Sequence, residues 1–353
     1  MTPYPWTHKI SHPAQVGGIE TAVLDNGAGR GTRVAWVNTG AGLRFKVVLD
    51  RGMDVAEAAF NQHGLAWLSH AGVTAPQPFS DRGLDWLRTF GGGLLTTCGL
   101  DHVGGPERDA FGERGLHGRI SNTPAELESI IQPDPARGLL EFSLTGRMRE
   151  TTVFGPSLQL KRTISGTLGQ PLIRLRDEVS NLGNTPAPHM LLYHVNFGWP
   201  LVDEGTRLLW RGEWRAKEGG MNGEIFGGNH DFRTCPAPME GHRGSGEAVA
   251  FIDAAPDAAG WCTAGLHNPN LGVAVAMRFP KAQLPWLINW QHWGPGEYVT
   301  ALEPATHPPI GQAAAREQRT LIFLEPGESR AYDLELTVLH QPDAIADFLN
   351  QTS

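Results

Sequence analysis

The sequence predicts an all-β fold, a large antiparallel β-sandwich, and three observations carry that prediction. Apolar and polar residues alternate with period two along most of the chain, as in strands buried on one face. Turn chemistry recurs at short spacing, with 44 glycines and 26 prolines among 353 residues, scattered singly and in pairs. Helical periodicity is scarce. Strands alternating with many short turns and few helices indicate sheet packed on sheet. No repeat of 20–50 residues argues for a propeller or solenoid, and no linker composition divides the chain, so residues 1–353 are expected to form a single domain.

Taken in order, RVAWVN and LRFKVVLD open the strand pattern, with Leu43, Phe45, Val47 and Leu49 on one face. LLEFSLTG, SLQLKRTI and PLIRLRDEVSN follow, separated by turns such as SGTLGQP and SNLGNTPAP. TRLLWRGEW reads as one further strand. In GVAVAMRF, Val273, Val275, Met277 and Phe279 share a face; WLINWQHW continues the pattern. Tyr332, Leu334, Leu336 and Val338 alternate with Asp333, Glu335 and Thr337. The tail PDAIADFLNQ is the clearest helix, opened by Pro-Asp; RGLDWLRTF is a second helical candidate.

Composition excludes several functions. A net charge of −8 and the absence of a basic run argue against nucleic acid as a partner. No apolar stretch reaches the length of a membrane span, and MTPYPWTHKI lacks the layout of a signal peptide. Three cysteines, Cys98, Cys235 and Cys262, share no CxxC spacing and fit a reducing compartment, so a cytoplasmic protein is expected. There is no GxSxG, and the histidines show no HExxH spacing; His189, His194, His292, His307 and Glu303 could in principle assemble a metal site, but their wide spread does not favour one.

Four islands depart from plain strand-and-turn sequence. LDRGMDV (49–55) sets Arg51 after an apolar strand. FGGGLLTTCGLDHVGG (90–105) has three consecutive glycines, fitting either close approach to a ligand or a glycine-rich sheet edge. GLHGRISNTPA (115–125) carries His117 and Arg119 two apart, on one face if the segment is a strand. The fourth comes in two parts. PHMLLYHVNFGWPLVDE (188–204) sets His194 in an apolar strand, and WLINWQHWGPGEYVTALEPATHP (286–308) sets Glu303 at an apolar strand end. A carboxyl group there has a tuned pKa suited to a general base, or it caps a turn. The chain also holds 11 tryptophans, a residue that fills cores and also stacks on sugar rings; Trp199, Trp290 and Trp293 lie nearest these islands.

In these islands the chain resembles the aldose 1-epimerase (galactose mutarotase-like) superfamily. The stretch 158–198 resembles the family's central run leading to its acid histidine. HGR (117–119) resembles its substrate-binding His-Gly segment, LEP (302–304) its base-bearing strand end, and LEPGESRAYDLELTVL (324–339) its final strand pair. The resemblance implies a large β-sandwich, the galactose mutarotase-like supersandwich, with no required metal or organic cofactor. It implies His194 as general acid and Glu303 as general base, with His117, Arg119 and Arg51 binding a sugar. HDF (230–232) adds Asp231 as a substrate contact, and Trp290 is expected to stack on the sugar ring. LDRGMDV and FGGGLLTTCG depart from well-studied mutarotases. The expected activity is interconversion of the anomers of a free aldose or acidic sugar by a monomer or homodimer. Two other readings stay open: an isomerase or lyase acting on an oxidised sugar with the same acid–base pair, and a carbohydrate-binding protein without turnover.

Overall fold

The computed structural model describes residues 4, 6–79, 81–217, 233–244 and 246–352. Three antiparallel sheets dominate. The first runs Gly18–Val23, Arg33–Asn38, Leu43–Val48, Asp54–Phe60 and His63–Gly64 in chain order. An eight-stranded sheet has the order Arg207–Trp210, Trp261–Asn268, Val273–Pro280, Ser329–Leu339, Leu172–Asn181, Ser157–Thr167, Glu141–Thr151, Glu126–Ile131. A seven-stranded sheet is built around Ala187–Phe197, which pairs with Glu297–Ala305, Ile322–Leu324 and Thr96–Leu100. It extends from Glu297–Ala305 through Trp286–Gly294 and Ala248–Ala254 to Gly212–Ala216. The all-β sandwich expected from the alternation is the architecture observed.

The alternation works because the eight-stranded sheet has one buried face. Glu141–Thr151 and Ser329–Leu339 bury every second residue, and Tyr332, Leu334, Leu336 and Val338 are buried as a set. Ala187–Phe197 differs: nearly every residue is buried. Leu191, Tyr193, Val195 and Phe197 join the core shared with the other sheets. Met190 and Leu192 face the opposite side, in a second cluster with Trp86, Phe90, Val249 and Ile288. The sheet is therefore covered on both faces.

Two expected elements change form. TRLLWRGEW is two strands, Arg207–Trp210 in the eight-stranded sheet and Gly212–Ala216 in the seven-stranded one. The chain changes sheets at Gly212, where φ is +130° and a Cβ would lie 2.1 Å from Asp253 O, so glycine is required. RGLDWLRTF holds only a 3-10 turn, Asp85–Arg88. The tail is the expected helix, Pro342–Thr352, burying Ile345 and Phe348. None of the helices among the described residues is long and apolar enough to cross a membrane.

One fully buried cation joins the sheets. Arg162 Nε and Nη2 donate to Asp177 at 2.9 and 2.6 Å, and Nη1 donates to Asp54 Oδ1 at 2.9 Å and Gly52 O at 2.8 Å. Asp177 also accepts from Tyr193 Oη at 2.8 Å. Asp54 accepts from Thr97 N and Oγ1 at 3.1 and 2.6 Å. Burial raises the Asp54 pKa, opposed by Arg162. Removing one donor to such a buried charge costs about 1.5–3 kcal/mol. Tyr193→Phe is therefore expected to lower the unfolding free energy by about that amount in urea titrations, with an unchanged m value. A loss below about 0.5 kcal/mol, the level of a neutral surface change, would contradict the network's role.

Candidate active site

The seven-stranded sheet's register assembles the site floor. Leu192 pairs with Ala305 and Val195 with Leu302, which sets His194 directly opposite Glu303. Thr96 pairs with His194 on one side, and Ile288 with Glu303 on the other. Directly opposed side chains on one face of a sheet are neighbours, so residues 109 positions apart meet: His194 Nε2 lies 3.1 Å from Glu303 Oε1. Because side chains alternate, Tyr193 and Leu302 enter the core while His194 and Glu303 face a cleft of about 370 Å³.

Aromatic rings surround the imidazole. Ring centroids of Phe90, Trp290, Trp86 and His117 lie 5.3, 5.5, 6.3 and 6.3 Å from that of His194. Trp86 and Phe90 stack on each other at 4.1 Å. Their loop is drawn in by the glycine run: Gly92 has φ +73°, and a Cβ there would lie 2.5 Å from Trp67 O. The close approach is thus between backbone segments. At the far wall Glu247 accepts from Trp290 Nε1 at 2.9 Å and lies 3.3 Å from Lys217 Nζ.

Burial governs the electrostatics. It lowers the His194 pKa to about 4 and raises that of Glu303 well above the usual carboxylate range, with Glu247 adding to the rise. Both groups thus favour their neutral forms, and the pair holds one proton between them. Burial, with help from His194, lowers His117 to about 3. Three buried polar atoms of cleft residues, His117 Nδ1, His194 Nδ1 and Glu303 Oε1, meet no hydrogen-bond partner. The 3.1 Å contact of His194 with Glu303 is close but not aligned as a hydrogen bond. Buried polar atoms are nearly always satisfied, so this cluster has unused capacity for a polar ligand.

Of the residues singled out in the sequence, His194, Glu303, His117 and Trp290 line this cleft. Arg119 does not. His117 (φ +58°) and Gly118 (φ +69°) both have left-handed backbone, so the segment is a turn, and the shared face expected of a strand is lost. Arg119 instead lines a separate depression with Phe79, Arg147 and Arg149 and lies 3.9 Å from Asp81. Arg51 also lies outside the cleft. Its guanidinium is buried and donates to Ser121 O, Thr74 Oγ1 and Thr89 O at 2.6, 2.6 and 2.9 Å, tying loops together. Asp231 lies outside the described residues. Trp293 is core and Trp199 is 71% exposed; neither lines the cleft.

Trp86, Phe90, Lys217 and Glu247 are the site residues that sequence reasoning missed. Only the Trp86 and Phe90 pair had a signal, aromatics four apart in a segment read as helix. His189 and His307 are held by Leu100 O and Tyr332 Oη, and by Thr306 and Thr320 O, respectively. Among the described residues, no group of three or more His, Cys, Asp or Glu side chains could hold a metal ion.

The His194 shift has a direct test. Its folded pKa of about 4 lies below the ordinary histidine value of about 6.5. Its neutral form therefore contributes stability at and above pH 6.5, and that contribution is lost as pH falls toward 4. In ¹⁵N NMR the His194 imidazole should keep neutral shifts from pH 8 down to about 5. Titration near 6.5 would contradict a dry, one-proton pair.

The comparisons with known proteins agree with this fold. The chain is similar to a provisionally assigned aldose 1-epimerase from Klebsiella pneumoniae, with a TM-score of 0.84 and 24% identity, over 95% of this chain and 86% of that one. It is similar to a galactose mutarotase-like protein from Clostridium acetobutylicum, with a TM-score of 0.63 and 13% identity over 93% and 100% of the two chains. It is also similar to galactose 1-epimerase from Lactobacillus acidophilus, with a TM-score of 0.57 and 12% identity over 91% and 98%. At these identities the likeness is one of fold, and the sandwich is galactose mutarotase-like. No functionally curated protein matches the sequence. A family profile matches residues 29–338, and the chain belongs to that family, Domain of unknown function (DUF4432).

Proposed function

We propose that the protein is a carbohydrate epimerase that interconverts the anomers of a free aldose. The observation that carries this reading is the cross-strand contact of His194 with Glu303 on the floor of an aromatic-lined cleft. The anomeric hydroxyl and the ring oxygen are both bonded to C1. A base and an acid serving them must therefore lie close together and share one proton, as this pair does. The fold's likeness to epimerases and mutarotases supports the reading.

In the proposed cycle the proton sits on His194 and Glu303 is the carboxylate once sugar is bound. The sugar's hydroxyl and ring oxygen then supply the hydrogen bonds that the buried pair lacks. Glu303 takes the proton from the anomeric hydroxyl while His194 protonates O5, and the C1–O5 bond breaks to the open aldehyde. Rotation about C1–C2 presents the other carbonyl face. O5 then attacks C1, His194 recovers the O5 proton and Glu303 returns its proton to the new hydroxyl. Nothing is consumed, and no redox step occurs. His117 would hold a ring hydroxyl, and Trp290 would cover an apolar face of the ring.

One general base or acid is worth roughly 10²–10⁴-fold. Glu303→Gln and His194→Gln should each lose that much anomer exchange, measured by NMR exchange spectroscopy, while remaining folded. The double variant should lose far less than the product, because the two act as a unit. Exchange should also survive EDTA, since the proposed cycle asks the protein only for proton transfers at O1 and O5. Wild-type exchange by folded Glu303→Gln would remove Glu303 from the chemistry.

A further inference from the structure

We propose that the site selects neutral 6-deoxy sugars over their hydroxymethyl and carboxylate counterparts. This rests on the reading of His194 as the acid at O5. The ring oxygen is bonded to C1 and C5, and C5 carries C6. With O5 at His194, the C6 substituent must lie against whatever surrounds that imidazole. With His117 on a ring hydroxyl and Trp290 on the ring face, what remains around it is Phe90 and Trp86, two apolar rings stacked on each other. The wall continues outward through Leu84 and Leu87, which are 58% and 52% exposed at the mouth.

Among its described residues the cleft also lacks an available lysine or arginine for an acidic sugar. Among its described lining residues Lys217 is the sole lysine or arginine, it lies 3.3 Å from Glu247, and the proton on His194 in the proposed cycle is directed at O5 beside the Glu303 carboxylate. The arginines expected to bind substrate are committed elsewhere, Arg51 to loop carbonyls and Arg119 to the Asp81 side of its turn. A uronate carboxylate would therefore face Glu247 and Glu303 with no unshared positive partner, and a buried unpaired charge is strongly disfavoured. A methyl group fits the aromatic collar. A hydroxyl added there is only mildly rejected, because apolar pockets discriminate such changes by about 10- to 100-fold.

The test uses the full wild-type chain and two matched series that differ only at C6: D-fucose, D-galactose and D-galacturonate, then D-quinovose, D-glucose and D-glucuronate. Anomer exchange is measured by NMR exchange spectroscopy, with spontaneous exchange subtracted. In the series the enzyme accepts, kcat/KM should be highest for the 6-deoxy sugar and about 10-fold lower for the hydroxymethyl sugar. The uronate should exchange at the uncatalysed rate. A uronate or hydroxymethyl sugar turned over fastest, with the activity lost in Glu303→Gln, would overturn the specificity and leave the acid–base reading standing. No acceleration in either series would overturn both.

Discussion

The burial of the Arg162 guanidinium is the constraint on which the site depends. A charge with no solvent contact persists only when every donor is matched. Here the matches come from separate sheets: Asp177 from the neighbouring strand, Asp54 from the start of the first sheet's strand Asp54–Phe60 and Gly52 from the turn before it. Tyr193 and Thr97 bond the same two carboxylates, so strands Ala187–Phe197 and Thr96–Leu100 are anchored from behind. Alternation does the rest: with Tyr193 turned inward, His194 must face the cleft. The island LDRGMDV thus serves the fold, Arg51 by tying loops and Asp54 by receiving Arg162.

This division of labour shapes the cleft's chemistry. The arginines nearest the site are used as structural cations, and the cleft is left to aromatic rings, two histidines, the Glu303 carboxyl group and the Lys217–Glu247 pair. A dry setting makes charge on either member of the His194–Glu303 pair costly. The pair keeps one proton and can deliver it to either of two oxygens bonded to one carbon. A solvated or cationic cleft would pull the two pKa values back toward their ordinary ranges and separate acid from base.

Strand phase was legible wherever one face of a sheet is buried, as in Leu43–Leu49 and Tyr332–Val338, because period two is then written directly into the residue types. The break inside TRLLWRGEW was not, since it depends on how closely Asp253 approaches Gly212. His194 and Glu303 stood out as polar residues in apolar strands. Their contact did not, because it follows from a register set over more than a hundred residues. The pairing of His117 with Arg119 failed for a local reason: left-handed backbone at 117 and 118 turned the two side chains apart. Glu247 and Lys217 carry no local pattern and become visible only through the neighbours that the sheet gives them.

The most direct test of the account is ¹H exchange spectroscopy of a 6-deoxyaldose in D₂O with catalytic amounts of the protein. Proton transfer confined to O1 and O5 should accelerate exchange between the α and β anomeric signals while the C2 proton signal keeps its full intensity. Loss of that signal to deuterium would show proton transfer at carbon, the chemistry of an isomerase or lyase. That result, or anomeric exchange no faster than in buffer for this sugar and for its hydroxymethyl and carboxylate counterparts alike, would contradict the assignment of His194 and Glu303 as a ring-opening acid–base pair.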